Sequence, residues 1–124
     1  MGFFYACGVM SKLIVNFGYY ALQPEQKAEI CNGAGAKNDW KSAFISNNIY
    51  GLDCTEVFNI HDYAYHYGIT AGDKRKADTE MLINLMTLIN EYGGWLMSLR
   101  RYRAMTYYNA VVECGNDAFF TKNK

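Results

Sequence analysis

From position 53 onward, apolar and polar residues alternate with the 3.6-residue period of an α-helix, and three segments carry that period. The first opens at Asp53, with Glu56 three residues on in a capping-box arrangement, and stops at Gly68. At about 100° per residue, Cys54, Phe58, His61 and Tyr65 share one inward face, while Asp62 stands about 100° to the side. The second segment starts near Asp73, a suitable N-cap, and ends at Gly93–Gly94. Its stripe reads Asp78, Met81, Leu82, Leu85, Ile89, so an acid heads an apolar face. The third runs from Trp95 to Cys114, closed by Gly115, with Trp95, Leu99, Tyr102, Met105 and Val112 as the expected inward stripe. Upstream, Pro24 opens a short helix over 23–30. The small, glycine-rich run Asn32–Asn38, continued to Asn48, reads as loop. Strand signals are weak throughout, which predicts an all-α fold: a small helical domain in which two antiparallel helices carry the chemistry.

Composition bounds the reading. The 124 residues suit one domain spanning 1–124, and a chain 51% hydrophobic and 16% aromatic with one proline is built to fold. Twelve basic residues balance twelve acidic ones, which argues against a nucleic-acid partner. No stretch approaches the roughly 20 apolar residues of a membrane span. Residues Met1–Val9 are apolar but lack the positive flank of a signal peptide, and are expected to belong to the folded domain. The four cysteines, Cys7, Cys31, Cys54 and Cys114, contain no C-x2-C pair for a zinc site. Two disulfides or four thiols both fit the count. The basic clusters Lys74-Arg75-Lys76 and Arg100-Arg101/Arg103 read first as solvated helix faces. Their sharper reading is attraction to anionic head groups, with Trp40, Phe44 and Ile45 as residues able to enter a lipid interface.

The chemistry gathers at the turn Gly68–Gly72. Two helices joined by so short a connection run antiparallel, so residues equally distant from the turn lie side by side. His61 and Tyr65 on one side and Asp78 on the other meet that condition. A carboxylate beside an imidazole accepts its N–H, fixes the tautomer and stabilises the imidazolium, while a tyrosine hydroxyl satisfies a second lone pair. That is the pattern of a general-base dyad. Asp62, pointing sideways, together with carbonyls of a glycine-rich loop, offers oxygens to a hard cation such as Ca²⁺. A Cys54–His61 nucleophile pair is excluded by about two helical turns of separation, and His61 and His66, five apart, do not share a face.

His61-Asp62-Tyr63-Ala64-Tyr65 fits the H-D-x-x-Y signature of the phospholipase A2 superfamily. Cys31-Asn32-Gly33-Ala34-Gly35 resembles its G-x-G calcium loop, and Ala77-Asp78 resembles the aspartate of its second catalytic helix. The order over residues 31–90 is closer to bacterial and fungal members than to venom and pancreatic ones. The resemblance implies Ca²⁺-dependent hydrolysis of the sn-2 ester of glycerophospholipids. In it His61 is the general base, Asp78 and Tyr65 orient it, Asp62 binds Ca²⁺, and carbonyls of Cys31, Gly33 and Gly35 complete the metal ligands. It also implies a phospholipid substrate, peripheral contact with a membrane surface and a secreted or periplasmic workplace. The half-cystines that flank the catalytic histidine in the family are replaced here by Val57, Phe58 and Ala64, and the one in the loop by Ala34. The alternative is a catalytically weak phospholipase A2-like module that binds lipid or protein.

Overall fold

The computed structural model describes residues 12–37 and 47–120. In chain order these form α1 (Phe17–Tyr20), α2 (Pro24–Lys37), β1 (Asn48–Ile49), β2 (Leu52–Asp53), α3 (Thr55–Tyr67), α4 (Ala71–Tyr92), α5 (Met97–Cys114) and α6 (Asn116–Phe120). Helix dominates, as the sequence period requires. The β1–β2 hairpin pairs Asn48 with Asp53 and Ile49 with Leu52. Its two-residue turn holds Tyr50 at φ 49° and Gly51 at φ 86°, the left-handed pair that matches the twist of a tight hairpin. Strands of two residues are too short to show period-2 alternation, which is why no strand was expected there.

Helix α4 is the spine, packing along both α3 and α5. Contacts across α3 and α4 run in opposite senses. His61 meets Asp78, whereas Tyr65, one turn later on α3, reaches Lys74, one turn earlier on α4. The two helices are therefore antiparallel. The main core gathers Val57 and Phe58 of α3, Met81, Leu85 and Ile89 of α4, and Ala104, Tyr107 and Val111 of α5, with Ile49 and Leu52 of the hairpin. Each fully buried aliphatic side chain contributes roughly 1.5–3 kcal/mol against the entropy of ordering the chain. A satellite cluster of Tyr65, Ala77 and Phe119 sits at the α3–α4 turn.

Helix ends depart from expectation by a few residues. For α4 the N-cap is Thr70, not Asp73. Thr70 Oγ1 accepts from Asp73 N at 3.1 Å, while Asp73 Oδ2 accepts from Ile69 N at 2.9 Å and Thr70 N at 3.0 Å. Those backbone bonds hold the Asp73 carboxyl below its ordinary pKa. At α3 no capping box forms. Asp53 Oδ1 accepts from Thr55 N at 2.9 Å, and Glu56 instead accepts from Tyr19 Oη, docking α1, with Lys27 3.5 Å away. Gly68 ends α3 and Gly93, at φ 68°, ends α4, both as expected.

Two larger corrections concern α2 and α5. The glycine-rich run expected as loop is helical through Lys37, so α2 extends seven residues past the short helix predicted over 23–30. On α5 the stripe is rotated. The buried residues are Arg100, Ala104, Tyr107 and Val111, whereas Trp95 (91% exposed), Tyr102 (73%), Leu99, Met105 and Val112 face outward. The cause is composition: α5 has apolar residues all round, so periodicity alone does not choose its inner face. Packing chooses the face with the small Ala104, which lets the helices approach, and with an arginine that satisfies the hairpin.

Candidate active site

Helix α3 contributes His61 and Tyr65 from adjacent turns of one face, and α4 contributes Asp78. His61 Nε2 lies 2.9 Å from Asp78 Oδ1, and Tyr65 Oη donates to the same oxygen at 2.6 Å. The His61 and Tyr65 rings lie 4.2 Å apart between centroids. All three are buried, His61 to 3% and Asp78 to 1% exposure. The sequence-derived trio is thus brought together by the α3–α4 turn.

A fourth member was not expected. Lys74, one turn before Asp78 on α4, places Nζ 2.7 Å from Asp78 Oδ2. It was read as part of a solvated basic cluster, yet it is buried. The signal was present in the spacing, since a Lys four residues before an Asp on a helix can reach it. Arg75 and Lys76, its neighbours, are exposed.

The electrostatics follow from these contacts. Burial pushes the Asp78 carboxyl up, but hydrogen bonds from His61, Lys74 and Tyr65 outweigh it and hold the group below its ordinary value. Asp78 is therefore ionised at neutral pH and only accepts, so the proton between it and Nε2 belongs to the imidazole. Tyr65 is pushed well above its ordinary value by burial and by the hydrogen bond and charge of Asp78, with Asp62 adding to it. It stays a donor.

Close packing fixes this geometry. A Cβ on Gly115 would stand 2.7 Å from Tyr65 Oη and 2.4 Å from the Val111 carbonyl, so the α5–α6 junction presses on the tyrosine hydroxyl. Phe119 of α6 packs edge-on against the Tyr65 ring with centroids 5.1 Å apart. Helix α6 was not foreseen, and its shortness explains that.

The expected metal ligands fare differently. Asp62 is buried on α3. Cys31, Gly33 and Gly35 lie in α2, where the carbonyls of Cys31 and Gly33 fall within the helical ladder and that of Gly35 in its last turn. Residues two apart on a helix are turned by about 200°, so these three carbonyls do not converge on one ion in this conformation. Cys31 donates its thiol to the Asn59 carbonyl of α3 at 3.7 Å. Among the described residues no group of three or more His, Cys, Asp or Glu side chains is placed to hold a metal. The loop as expected, and the Ca²⁺ set built on it, do not fit the helix that is there.

Cys54 Sγ donates to the Leu52 carbonyl at 3.5 Å, and burial, with the Asp53 charge adding, pushes its thiol up to about 12. It stays protonated, as a packing residue does. Cys54 and Cys114 are free thiols, and Cys7 lies outside the described residues, as do Trp40, Phe44 and Ile45. A cleft of about 300 Å³ lies on another side of the α3–α4 pair, lined by Ile14, Val15, Ile60, Tyr63, Tyr67 and Ala77 together with Asn16, Asp73, Lys76 and Glu80. His61 and Asp78 are not among its walls. No described helix is long and apolar enough to cross a membrane. No protein-family model, curated protein or solved structure matches the chain.

Proposed function

We propose that the chain is a phospholipase A2-like hydrolase in which His61 acts as general base on water and Asp78 and Tyr65 hold it. The observation that carries the reading is the convergence of the imidazole and phenol of the H-D-x-x-Y segment, and of the Lys74 ammonium, on one buried, ionised aspartate of the facing helix, Asp78. Nε2 faces Asp78, so Nδ1 takes the water proton as the oxygen attacks the ester carbonyl carbon. The carbonyl π electrons move onto its oxygen. Collapse of the tetrahedral intermediate then breaks the acyl C–O bond, and the imidazolium returns the proton to the departing lysolipid alkoxide. Asp78 stabilises the imidazolium in between. Substrate class and sn-2 position rest on the resemblance.

Calcium, with Asp62 as its carboxylate ligand, belongs to this reading through the resemblance alone. Contact with an anionic lipid surface is proposed for the outer arc of α5, where exposed Leu99, Tyr102 and Met105 lie between Arg101 and Arg103, together with exposed Trp95 in the turn before it. A secreted or periplasmic workplace, where Ca²⁺ is abundant, is part of the same proposal.

A second reading, a lipid-binding module without efficient turnover, is favoured by the helical course of Cys31, Gly33 and Gly35. Fatty-acid release from mixed phospholipid micelles separates the two. Release that is lost in His61→Gln supports the hydrolase, and its loss on chelation supports the calcium part. A folded chain that binds the micelles without release makes it the module.

A further inference from the structure

The role of Lys74 goes beyond that reading and, for its catalytic consequence, rests on it. A buried ammonium is costly unless its protons find acceptors. Lys74 Nζ has Asp78 Oδ2 at 2.7 Å, the Val111 carbonyl at 3.1 Å and the Val112 carbonyl at 3.5 Å. It also stands 5.9 Å from the centre of the Tyr65 ring. Val111 and Val112 belong to the last turn of α5, the negative end of that helix, where a cation is attracted. The lysine is thus fixed from the α5 side, and the fixed ammonium takes one oxygen of Asp78.

A carboxylate that loses the anchor on one oxygen can swing about its side-chain bonds, and its hold on the imidazole N–H loosens. Here the two oxygens are assigned: Oδ2 to Lys74, and Oδ1 to His61 and Tyr65. We propose that Lys74 is a positioning residue of the dyad, which anchors Asp78 to the end of α5 so that Oδ1 faces His61 Nε2 and selects one imidazole tautomer.

The test uses the whole chain labelled with ¹⁵N-histidine, at a pH where the imidazole is neutral, with folding checked by circular dichroism. His61→Gln identifies the His61 ring signals against those of His66. The wild type is expected to show one tautomer, protonated at Nε2. Lys74→Met is expected to give a mixture, and kcat on phospholipid micelles is expected to fall about 10²-fold with KM nearly unchanged, as for a slightly misplaced catalytic group. Lys74→Gln, whose amide can still donate to Oδ2, is expected to restore the single tautomer and most of the rate. A purely structural lysine would lower stability and leave both readouts alone. The proposal is overturned by a retained tautomer in Lys74→Met, or by an unaltered kcat in a chain whose wild type is active. It is equally overturned if neither Lys74 variant folds, since the lysine is then a structural cation. An inactive wild type would remove the hydrolase reading, while the tautomer would still decide whether Lys74 positions the imidazole.

Discussion

Among the described residues two cations, Arg100 and Lys74, are buried in the helical core, and they are satisfied in opposite ways. Arg100 of α5 gives Nε to the Ile49 carbonyl at 3.0 Å and a second nitrogen to the Tyr50 carbonyl, and its guanidinium stands 4.9 Å from the centre of the Tyr92 ring. These partners are two backbone carbonyls and an aromatic ring. Lys74 of α4 meets α5 carbonyls too, but its shortest contact is to a carboxylate that an imidazole and a phenol share. Arg100 clamps a hairpin to a helix. Lys74 belongs to the carboxylate cluster on which the proposed hydrolysis depends. Burial of charge alone does not distinguish scaffold from site; the titratable partner does.

The largest expected effect lies on the Lys74 side. Asp78→Asn keeps the shape but no longer fixes the imidazole, and hydrolysis is expected to fall about 10³–10⁴-fold, by analogy with orienting aspartates elsewhere. Fatty-acid release by the folded variant measures it, and a loss below tenfold would reduce the cluster to scaffold.

Next comes Arg100→Met, which leaves the Ile49 and Tyr50 carbonyls without their charged donor. It is expected to cost roughly 3 kcal/mol in urea unfolding, with kcat of the folded fraction unchanged. A fall in kcat at unaltered stability would erase the contrast between the two cations.

Acid should sharpen it. The folded pKa of Asp78 lies below its unfolded value because His61, Lys74 and Tyr65 donate to it. The unfolded chain therefore binds a proton first as pH falls. This contribution is fully present above about pH 5 and is lost as pH drops through about 4 and below. Unfolding free energy should decline less steeply over that window in Asp78→Asn than in the wild type, and equally in Arg100→Met.

The smallest effect is expected at Trp95, which the helical period places on the inward stripe and the fold exposes. Trp95→Ser should change stability by no more than about 0.5 kcal/mol, since the ring is exposed. Binding to anionic vesicles should weaken in the same variant. A loss of several kcal/mol would return Trp95 to the core.

The α3–α4 pair was legible because two independent signals agree there. A glycine closes each helix, a polar residue stands near the start of each, and both stripes converge on a turn too short for any arrangement but side by side. His61, Tyr65 and Asp78 follow from that geometry. Helix α5 was not legible in the same way, because apolar residues surround it and the inner face is chosen by what α4 and the hairpin present. Lys74 and Arg100 were read as solvated because charged side chains usually are, and the carbonyls that hold them come from distant parts of the chain. Residues 31–37 illustrate the opposite error. Two glycines in a small polar run lower helix propensity without forbidding a helix, and the helix continues through them.

What the amino-acid order by itself determined is local: where the principal helices lie to within a few residues, and that an imidazole, a phenol and a carboxylate fall at matching distances from one turn. Tertiary structure alone decided which face of α5 is buried, which cations are enclosed, and the conformation of the glycine-rich segment. The physical reason is that periodicity and capping act over a few residues, whereas enclosing a charge or choosing among several apolar faces depends on partners that only folding brings near.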